Sequence, residues 1–401
     1  MTDDLHPDSR AVHAGRDDLR ALGVHAPPLD LSTTYPFESL DDAVGSLDAM
    51  MAGGDPTEAG GPIYSRLASP TVGRFEAGLA ALEGADAAVA FGSGMAALTA
   101  CYLAARTERQ AHVVGVKPIY GTTDKLLSSG LLGMTVTWTD AAGVADAIRE
   151  DTCAVTIETP VNPTLDLIDV AAVARAAGDR PLIVDSTFAT PVLQQPLALG
   201  AAMVMHSATK FIGGHGDVLA GVVAADAAWA ARLRRVRILT GAILHPFAAY
   251  HLHRGLATLP LRVHRAQETA TRLAARLAAH PGVGQVYHPS LDGRDPAGLV
   301  GTQMSGPGPM LAFEVLGPDG SARGEGAFGA ADGFLRALRL ATPAVSLGST
   351  DTLAQHPAGL TQRVASGDDG GAITPGLVRV SVGLEDADDL WRDLEQALGR
   401  G

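Results

Sequence analysis

The chain has 401 residues, 46% of them apolar and 18% charged, with a formal net charge of −14 at pH 7. That length exceeds what one hydrophobic core serves, so two domains and an arm are expected, and the apolar fraction excludes a disordered chain. The acidic balance argues against a nucleic-acid partner, and with no apolar run of transmembrane length no membrane association is expected either.

Taken in chain order, the start Met1-Thr2-Asp3-Asp4 is polar and acidic and does not read as a signal peptide. Residues 1–64 read as an N-terminal arm. Pro27-Pro28, Tyr35-Pro36 and the glycines at 53–54 and 60–61 leave little room there for long helices. From Ser69-Pro70-Thr71 the pattern alternates between helix and strand. The first helix runs from Pro70 to Gly84, with proline at an early helical position. Strands are expected at Ala85–Phe91, Ala111–Val116, Thr135–Trp138, Ala154–Glu158 and Leu182–Asp185, with helical stretches between them. This order implies a mostly parallel sheet covered on both faces, and residues 65–255 form a large domain around it. The two cysteines, Cys101 and Cys153, lie in apolar stretches without metal spacing and read as reduced core thiols of a cytoplasmic protein.

Near residue 255 the character changes. Leu261–His280 reads as a long amphipathic helix ended by Pro281-Gly282. Met310–Val315 and Leu377–Val382 read as strands, and Asp386–Leu398 as a closing helix. Residues 256–401 thus form a smaller C-terminal α/β domain. The glycine-rich tract Gly317 to Gly329 reads as a mobile surface insertion. The scattered histidines, among them His206, His215, His251 and His253, show no ligand spacing, so no metal site is expected; His251 and His253 read as helix-surface or interface residues.

The chemistry is concentrated where strands end, because loops at the strand ends of a parallel sheet meet in one crevice. In Val204-Met205-His206-Ser207-Ala208-Thr209-Lys210-Phe211-Ile212-Gly213-Gly214-His215 an apolar strand runs into hydroxyl residues, one lysine and glycines. A lysine so placed presents an amine to an aldehyde cofactor, with hydroxyls beside it for a phosphate; its covalent product is a Schiff base. A solvated surface lysine fits the same run. Phe91-Gly92-Ser93-Gly94-Met95 is strand, turn and helix start, whose N–H groups suit a phosphate or simply close a tight turn. Asp185, at the end of Ile183-Val184-Asp185, suits a pyridinium nitrogen or a helix cap. Tyr120 suits stacking on a cofactor ring or a place in the core.

Together with Tyr64-Ser65-Arg66, Leu82-Glu83-Gly84, Glu158-Thr159-Pro160-Val161-Asn162-Pro163 and Arg379-Val380-Ser381-Val382-Gly383, these segments resemble the cystathionine/methionine-metabolism family of pyridoxal phosphate enzymes. The resemblance spans nearly the whole chain in the family's order. It implies a fold-type-I subunit, with a large domain on a mostly parallel seven-stranded sheet, a smaller C-terminal α/β domain and an N-terminal arm. It also implies a homotetramer built from two catalytic dimers and a small amino-acid substrate. Residue by residue, it implies that Lys210 binds pyridoxal 5'-phosphate covalently and then shuttles protons, that Asp185 meets the pyridine nitrogen, and that Tyr120 stacks on the ring near the leaving group. Gly94, Met95, Ser207 and Thr209 match the phosphate cradle, and Tyr64 and Arg66 reach the neighbour's phosphate. Arg379 and Ser346 match binders of the substrate carboxylate, where an arginine fork is the apt choice, and Asn162 matches a residue near both groups.

Within that resemblance, Thr240-Gly241-Ala242-Ile243-Leu244-His245-Pro246 and Gln303-Met304-Ser305-Gly306-Pro307-Gly308 point to the methionine γ-lyase branch. Apolar Val345 offers no partner to a charged substrate tail. Thr122, Lys125 and Arg237 depart from that branch and are expected to tune substrate choice. The expected reaction is γ-elimination on methionine, homocysteine, cystathionine or a related amino acid. γ-Replacement on an activated homoserine ester remains a second reading, and a non-catalytic binding protein a third.

Overall fold

The computed structural model describes residues 5–54, 61–324, 326–360 and 373–399. Seven strands build the larger sheet: β1 (Ala87–Phe91), β2 (His112–Val116), β3 (Thr135–Thr139), β4 (Thr152–Glu158), β5 (Leu182–Asp185), β6 (Met203–His206) and β7 (Gly221–Ala225). Their order is β1-β7-β6-β5-β4-β2-β3. Every pairing is parallel except those of β7, which runs antiparallel to both β1 and β6. All residues of β4 are buried, as a strand covered on both faces requires, and residues 153–157 are correspondingly apolar except for Thr156. Helix Gly94–Ala105 is apolar nearly all round because it packs between this sheet and helix Ala227–Thr240.

A second sheet gathers β8 (Val283–Tyr287), β9 (Met310–Val315), β10 (Thr342–Pro343), β11 (Leu353–Gln355) and β12 (Leu377–Ser381), in the order β10-β11-β12-β9-β8. Helices Leu259–Ala278, Ala327–Ala337 and Ala387–Leu398 cover it, and the rings of Phe313 and Phe334 meet edge to face, 5.4 Å apart, in its core. Among the described residues no helix is long and apolar enough to cross a membrane.

The alternation of elements is as the sequence implies, and the differences are instructive. The arm does contain a long helix, Leu40–Met51, contrary to expectation. Ser39 caps it by accepting the N–H of Asp42, and Asp41 and Asp42 sit in its first turn, where the helix dipole favours acids. The tract Gly317 to Gly329 is no plain surface insertion among its described residues. Gly317 closes a turn onto Ser321, Ala322 is buried and accepts the N–H of Gly376, and helix Ala327–Ala337 opens before the tract ends. His253 is buried rather than on a helix surface; its ring N–H donates to the Ala14 carbonyl at 3.0 Å and ties the arm to the large sheet's helices. His206 also has a carboxylate partner that spacing hides. Its Nε2 lies 2.5 Å from Glu83 Oε1, both side chains buried.

Candidate active site

Lys210 follows β6 in the turn that joins it to its antiparallel neighbour β7. It lines a cleft of about 400 Å³ between the two sheets. The larger sheet contributes the ends of its strands: Glu158 from β4, Asp185 from β5, Ser207 to Lys210 after β6, Tyr120 beyond β2, and Gly94 and Met95 beyond β1. The smaller sheet contributes Arg379 on β12, Gln355 on β11, and Val345 and Ser346 after β10. Lys210, Asp185, Tyr120, Gly94, Met95, Ser207, Thr209, Asn162, Arg379, Ser346 and Val345, all singled out in the sequence, meet in this one cleft.

The Lys210 amine donates to Ser346 Oγ at 2.6 Å. Burial, with the Arg379 guanidinium nearby, pushes its pKa down to about 8, so about a tenth of the amine is neutral and nucleophilic at pH 7, far more than for an exposed lysine. Ser346 has φ +83°, a left-handed conformation that costs a non-glycine residue roughly 1–3 kcal/mol. The same residue's carbonyl accepts from Arg379 Nη2 at 2.7 Å, so its backbone is held from the β12 side and its hydroxyl from the β6 side.

Arg379 is buried, with Nη1 donating to Asn162 Oδ1 at 3.0 Å and Nη2 also to Gln355 Oε1 at 2.9 Å; Nε has no protein partner among the described residues. Asp185 accepts the Thr187 N–H at 3.0 Å and the Thr187 hydroxyl at 2.6 Å, and that hydroxyl in turn accepts the Ser207 N–H at 2.9 Å. Thr187 therefore joins the strand-end carboxylate to the lysine turn. Burial raises the Asp185 pKa, the Thr187 hydrogen bonds and the charge of nearby His206 oppose the rise, and among the described residues no lysine or arginine forms an ion pair with it. A buried carboxylate so placed favours a cation beside it.

Gly94 opens helix Gly94–Ala105, where Ser93 accepts the N–H of Ala96 and the N–H groups of Gly94 and Met95 precede the first intrahelical bond. A Cβ on Gly94 would stand 2.9 Å from the Ser207 side chain, so glycine is needed where these two turns approach. Thr209 lines the cleft, but its hydroxyl is engaged with both the N–H and the carbonyl of Ala220.

Some residues fall elsewhere. Tyr64 is 45% exposed, and Arg66 donates to the Ile238 carbonyl at 2.9 Å; neither lines the cleft of its own chain. Thr122 and Lys125 face a neighbouring apolar groove. Arg237, expected near the substrate, is buried by helix Ala227–Thr240, bonded to Glu76 Oε1 at 2.5 Å and the Ala90 carbonyl at 3.1 Å. Val345 does line the cleft, as does Leu219. Sequence reasoning gave no role to Glu158, Thr187, Thr123 or Gln355. Glu158 and Thr187 stand at strand ends beside assigned residues, which was the available signal; Gln355 and Thr123 had none.

A large α/β subunit with a lysine, a strand-end carboxylate and a helix N-terminus converging on one crevice defines a class of cofactor-dependent enzymes. The family described as Cys/Met metabolism PLP-dependent enzyme matches residues 8–399, and the chain belongs to that family. It is 51% identical over 395 residues to an L-methionine gamma-lyase of Brevibacterium sandarakinum, covering 98% of each chain. An L-methionine gamma-lyase of Pseudomonas putida is 38% identical, with 97% of this chain and 96% of that one covered. Among solved structures, the methionine gamma lyase CalE6 of Micromonospora echinospora superposes with a TM-score of 0.83 at 37% identity, covering 98% and 99% of the two chains. The metB structure of Corynebacterium glutamicum superposes at 0.88 with 33% identity, covering 100% and 99%.

The residues present fit pyridoxal phosphate. The neutral-prone amine of Lys210 suits the aldehyde, and the cation-seeking Asp185 suits the pyridinium. The free N–H groups of Gly94 and Met95 and the Ser207 hydroxyl suit the phosphate. Buried Thr123 Oγ1 and Arg379 Nε both belong to residues of the cleft wall and have no protein partner among the described residues. Buried polar atoms left so are ordinarily satisfied by a ligand or water.

Proposed function

We propose that the chain catalyses γ-elimination on methionine or a close relative with an uncharged tail, releasing a 2-oxo acid, ammonia and a thiol. The observation that carries this reading is the pairing of the Lys210 site with an apolar tail wall. Val345 and Leu219 are 53% and 71% exposed where they line the cleft, and neither offers a partner to a distal charge. Such a wall gives a charged tail no partner and gives an apolar tail surface to cover. The 51% identity to L-methionine gamma-lyases supports the same substrate class.

When bound, pyridoxal phosphate supplies the electron sink that makes the α- and β-hydrogens of an amino acid removable. The protein's part is positioning and proton transfer. Arg379 holds the substrate α-carboxylate with Nε and whichever guanidinium donor Gln355 or Asn162 releases. Asn162 orients the same group. Lys210 Nζ, steadied by Ser346 Oγ, takes the α-proton and carries it onward. The Tyr120 hydroxyl gives a proton to the departing sulfur, and Asp185 keeps the opposite end of the site anionic. Ser207, Gly94, Met95 and Thr209 hold the phosphate, Thr209 by redirecting its hydroxyl from Ala220.

Tyr64 and Arg66, which lie outside their own cleft, complete the phosphate site of a neighbouring subunit in a homotetramer of two catalytic dimers. We assign the arm to residues 1–64, the cofactor domain to 65–255 and the C-terminal domain to 256–401. Buried, unpaired Cys101 and Cys153 support a reducing compartment, the cytoplasm.

Purified enzyme offered methionine, homocysteine and cystathionine separately, and O-acetylhomoserine together with cysteine, tests the reaction. Methionine is expected to yield 2-oxobutanoate, ammonia and methanethiol. A new C–S product without ammonia, or no oxo acid from any sulfur amino acid, would overturn the reading.

A further inference from the structure

Glu158 is the last residue of β4, in register with Asp185 on the adjacent parallel strand β5. Residues paired in this way point to the same face, so two carboxylates stand side by side. Both are buried, and burial raises both pKa values, with the Asp185 charge the second cause at Glu158. Such a pairing is unfavourable in itself. Glu158 offsets it through two hydrogen bonds, one to each oxygen. Oε2 accepts the Tyr120 N–H at 2.6 Å, and Oε1 accepts the Asn162 N–H at 2.9 Å. Tyr120 is the residue that precedes helix Gly121–Ser128, and no side chain caps that helix from within. Asn162 belongs to the loop beyond β4 and reaches Arg379 with its side chain.

A glutamine would serve only one of these two donors. Its oxygen would accept one N–H and its amide nitrogen would face the other, a donor against a donor. A carboxylate is the side chain that accepts from both directions, and its cost beside Asp185 is accepted at a place where Tyr120 and Asn162 must be held together.

We propose that Glu158 is a positioning residue for the elimination, its two oxygens fixing the backbone of Tyr120 against that of Asn162 and so setting the distance between the acid at the leaving group and the amide at the substrate carboxylate. This rests on the γ-elimination reading above. It assigns Glu158 to the later part of the reaction, where the leaving group departs, and not to removal of the α-proton, which is the task of Lys210.

Norleucine has methionine's shape without a leaving group, so exchange of its α-hydrogen with solvent deuterium, followed by mass spectrometry, reports the Lys210 step alone. In Glu158→Gln, kcat for elimination from methionine is expected to fall about 10- to 100-fold, the loss typical when a catalytic group is displaced. Norleucine exchange should stay within about threefold of the unaltered enzyme, and cofactor content by absorbance should be unchanged. Glu158→Asp keeps both acceptors on a shorter stem and is expected to show the same selective loss; it carries the test if the glutamine variant does not fold. Elimination and exchange falling in parallel, or elimination unaffected, would overturn the proposal. Failure of the unaltered enzyme to eliminate from any sulfur amino acid would instead overturn the γ-elimination reading, and norleucine exchange tells the two failures apart.

Discussion

Lys210 carries a direct consequence of burial. An exposed lysine holds its proton to about pH 10.4, whereas Lys210 loses it at about 8. Between those values the folded chain binds fewer protons at this site than the unfolded chain does. The lysine therefore costs stability below pH 8, and the cost disappears as pH rises through the unfolded value. The amine is reactive in the same interval. In cofactor-free protein, acylation of Lys210 followed by mass spectrometry is expected to rise with a midpoint near pH 8, while surface lysines continue to gain reactivity toward 10; a midpoint shared with the surface lysines would show that the site does not depress it. Lys210→Ala is expected to lose turnover while still binding pyridoxal phosphate without a covalent bond, seen as cofactor that washes out on extended dialysis. At this scale the sequence was informative wherever a residue's neighbours in the chain are also its neighbours in space. Lys210, Asp185 and Gly94 sit in runs whose turn chemistry is local. Glu158 and Gln355 draw their roles from partners reached only through the fold, and Arg237 was misplaced for the same reason: its partner Glu76 lies in helix Pro70–Glu83.

Elements meet most tightly where helix Gly94–Ala105 starts against the turn after β6. A methyl group on Gly94 would press on Ser207 Cβ and Oγ at 2.9 Å. Overpacking of this kind costs about 1–3 kcal/mol. Here it falls on the proposed phosphate cradle, so Gly94→Ala is expected to weaken cofactor binding roughly tenfold or more and to lower the thermal midpoint measured without cofactor as well. An absorbance titration checks it, and unaltered affinity would remove Gly94 from the cradle. The strands were legible because mostly apolar runs such as residues 153–157 leave a covered parallel strand as the natural reading. Helix Leu40–Met51 was hidden by the prolines and glycines on either side of it, which outweighed its Ser39 cap. β7 was hidden because its small residues, Gly221 to Ala225, resemble a loop until β1 and β6 flank them.

For the whole molecule, an expected site shared between subunits has a measurable signature. Lys210 lies in one chain's cleft, while Tyr64 and Arg66 face outward from theirs, and the arm exposes Leu31, Phe37, Leu40 and Val44. If two chains share each site about a twofold axis, Lys210→Ala and Arg66→Ala, each inactive alone, complement each other on mixing. Random reassortment places one intact site in half of the dimers, restoring about a quarter of full activity. No recovery after unfolding and refolding the mixture together would confine each site to one chain. Sedimentation of the unaltered enzyme reports the tetramer directly.

The cleft is divided between two sheets. Lys210 and Asp185 come from the larger one, while Arg379, Gln355, Ser346 and Val345 come from the smaller one, which follows it in the chain. The proton-handling residues thus lie on the first stretch of polypeptide, while much of the substrate-facing wall, Leu219 and Asn162 apart, lies on the second. A chimera that joins the first stretch of this chain to the second stretch of a relative with a different tail wall is expected to keep the cofactor's absorbance and change the amino acids it accepts. Such a protein gains a new appetite through recombination at a single crossover, without altering the residues that handle protons.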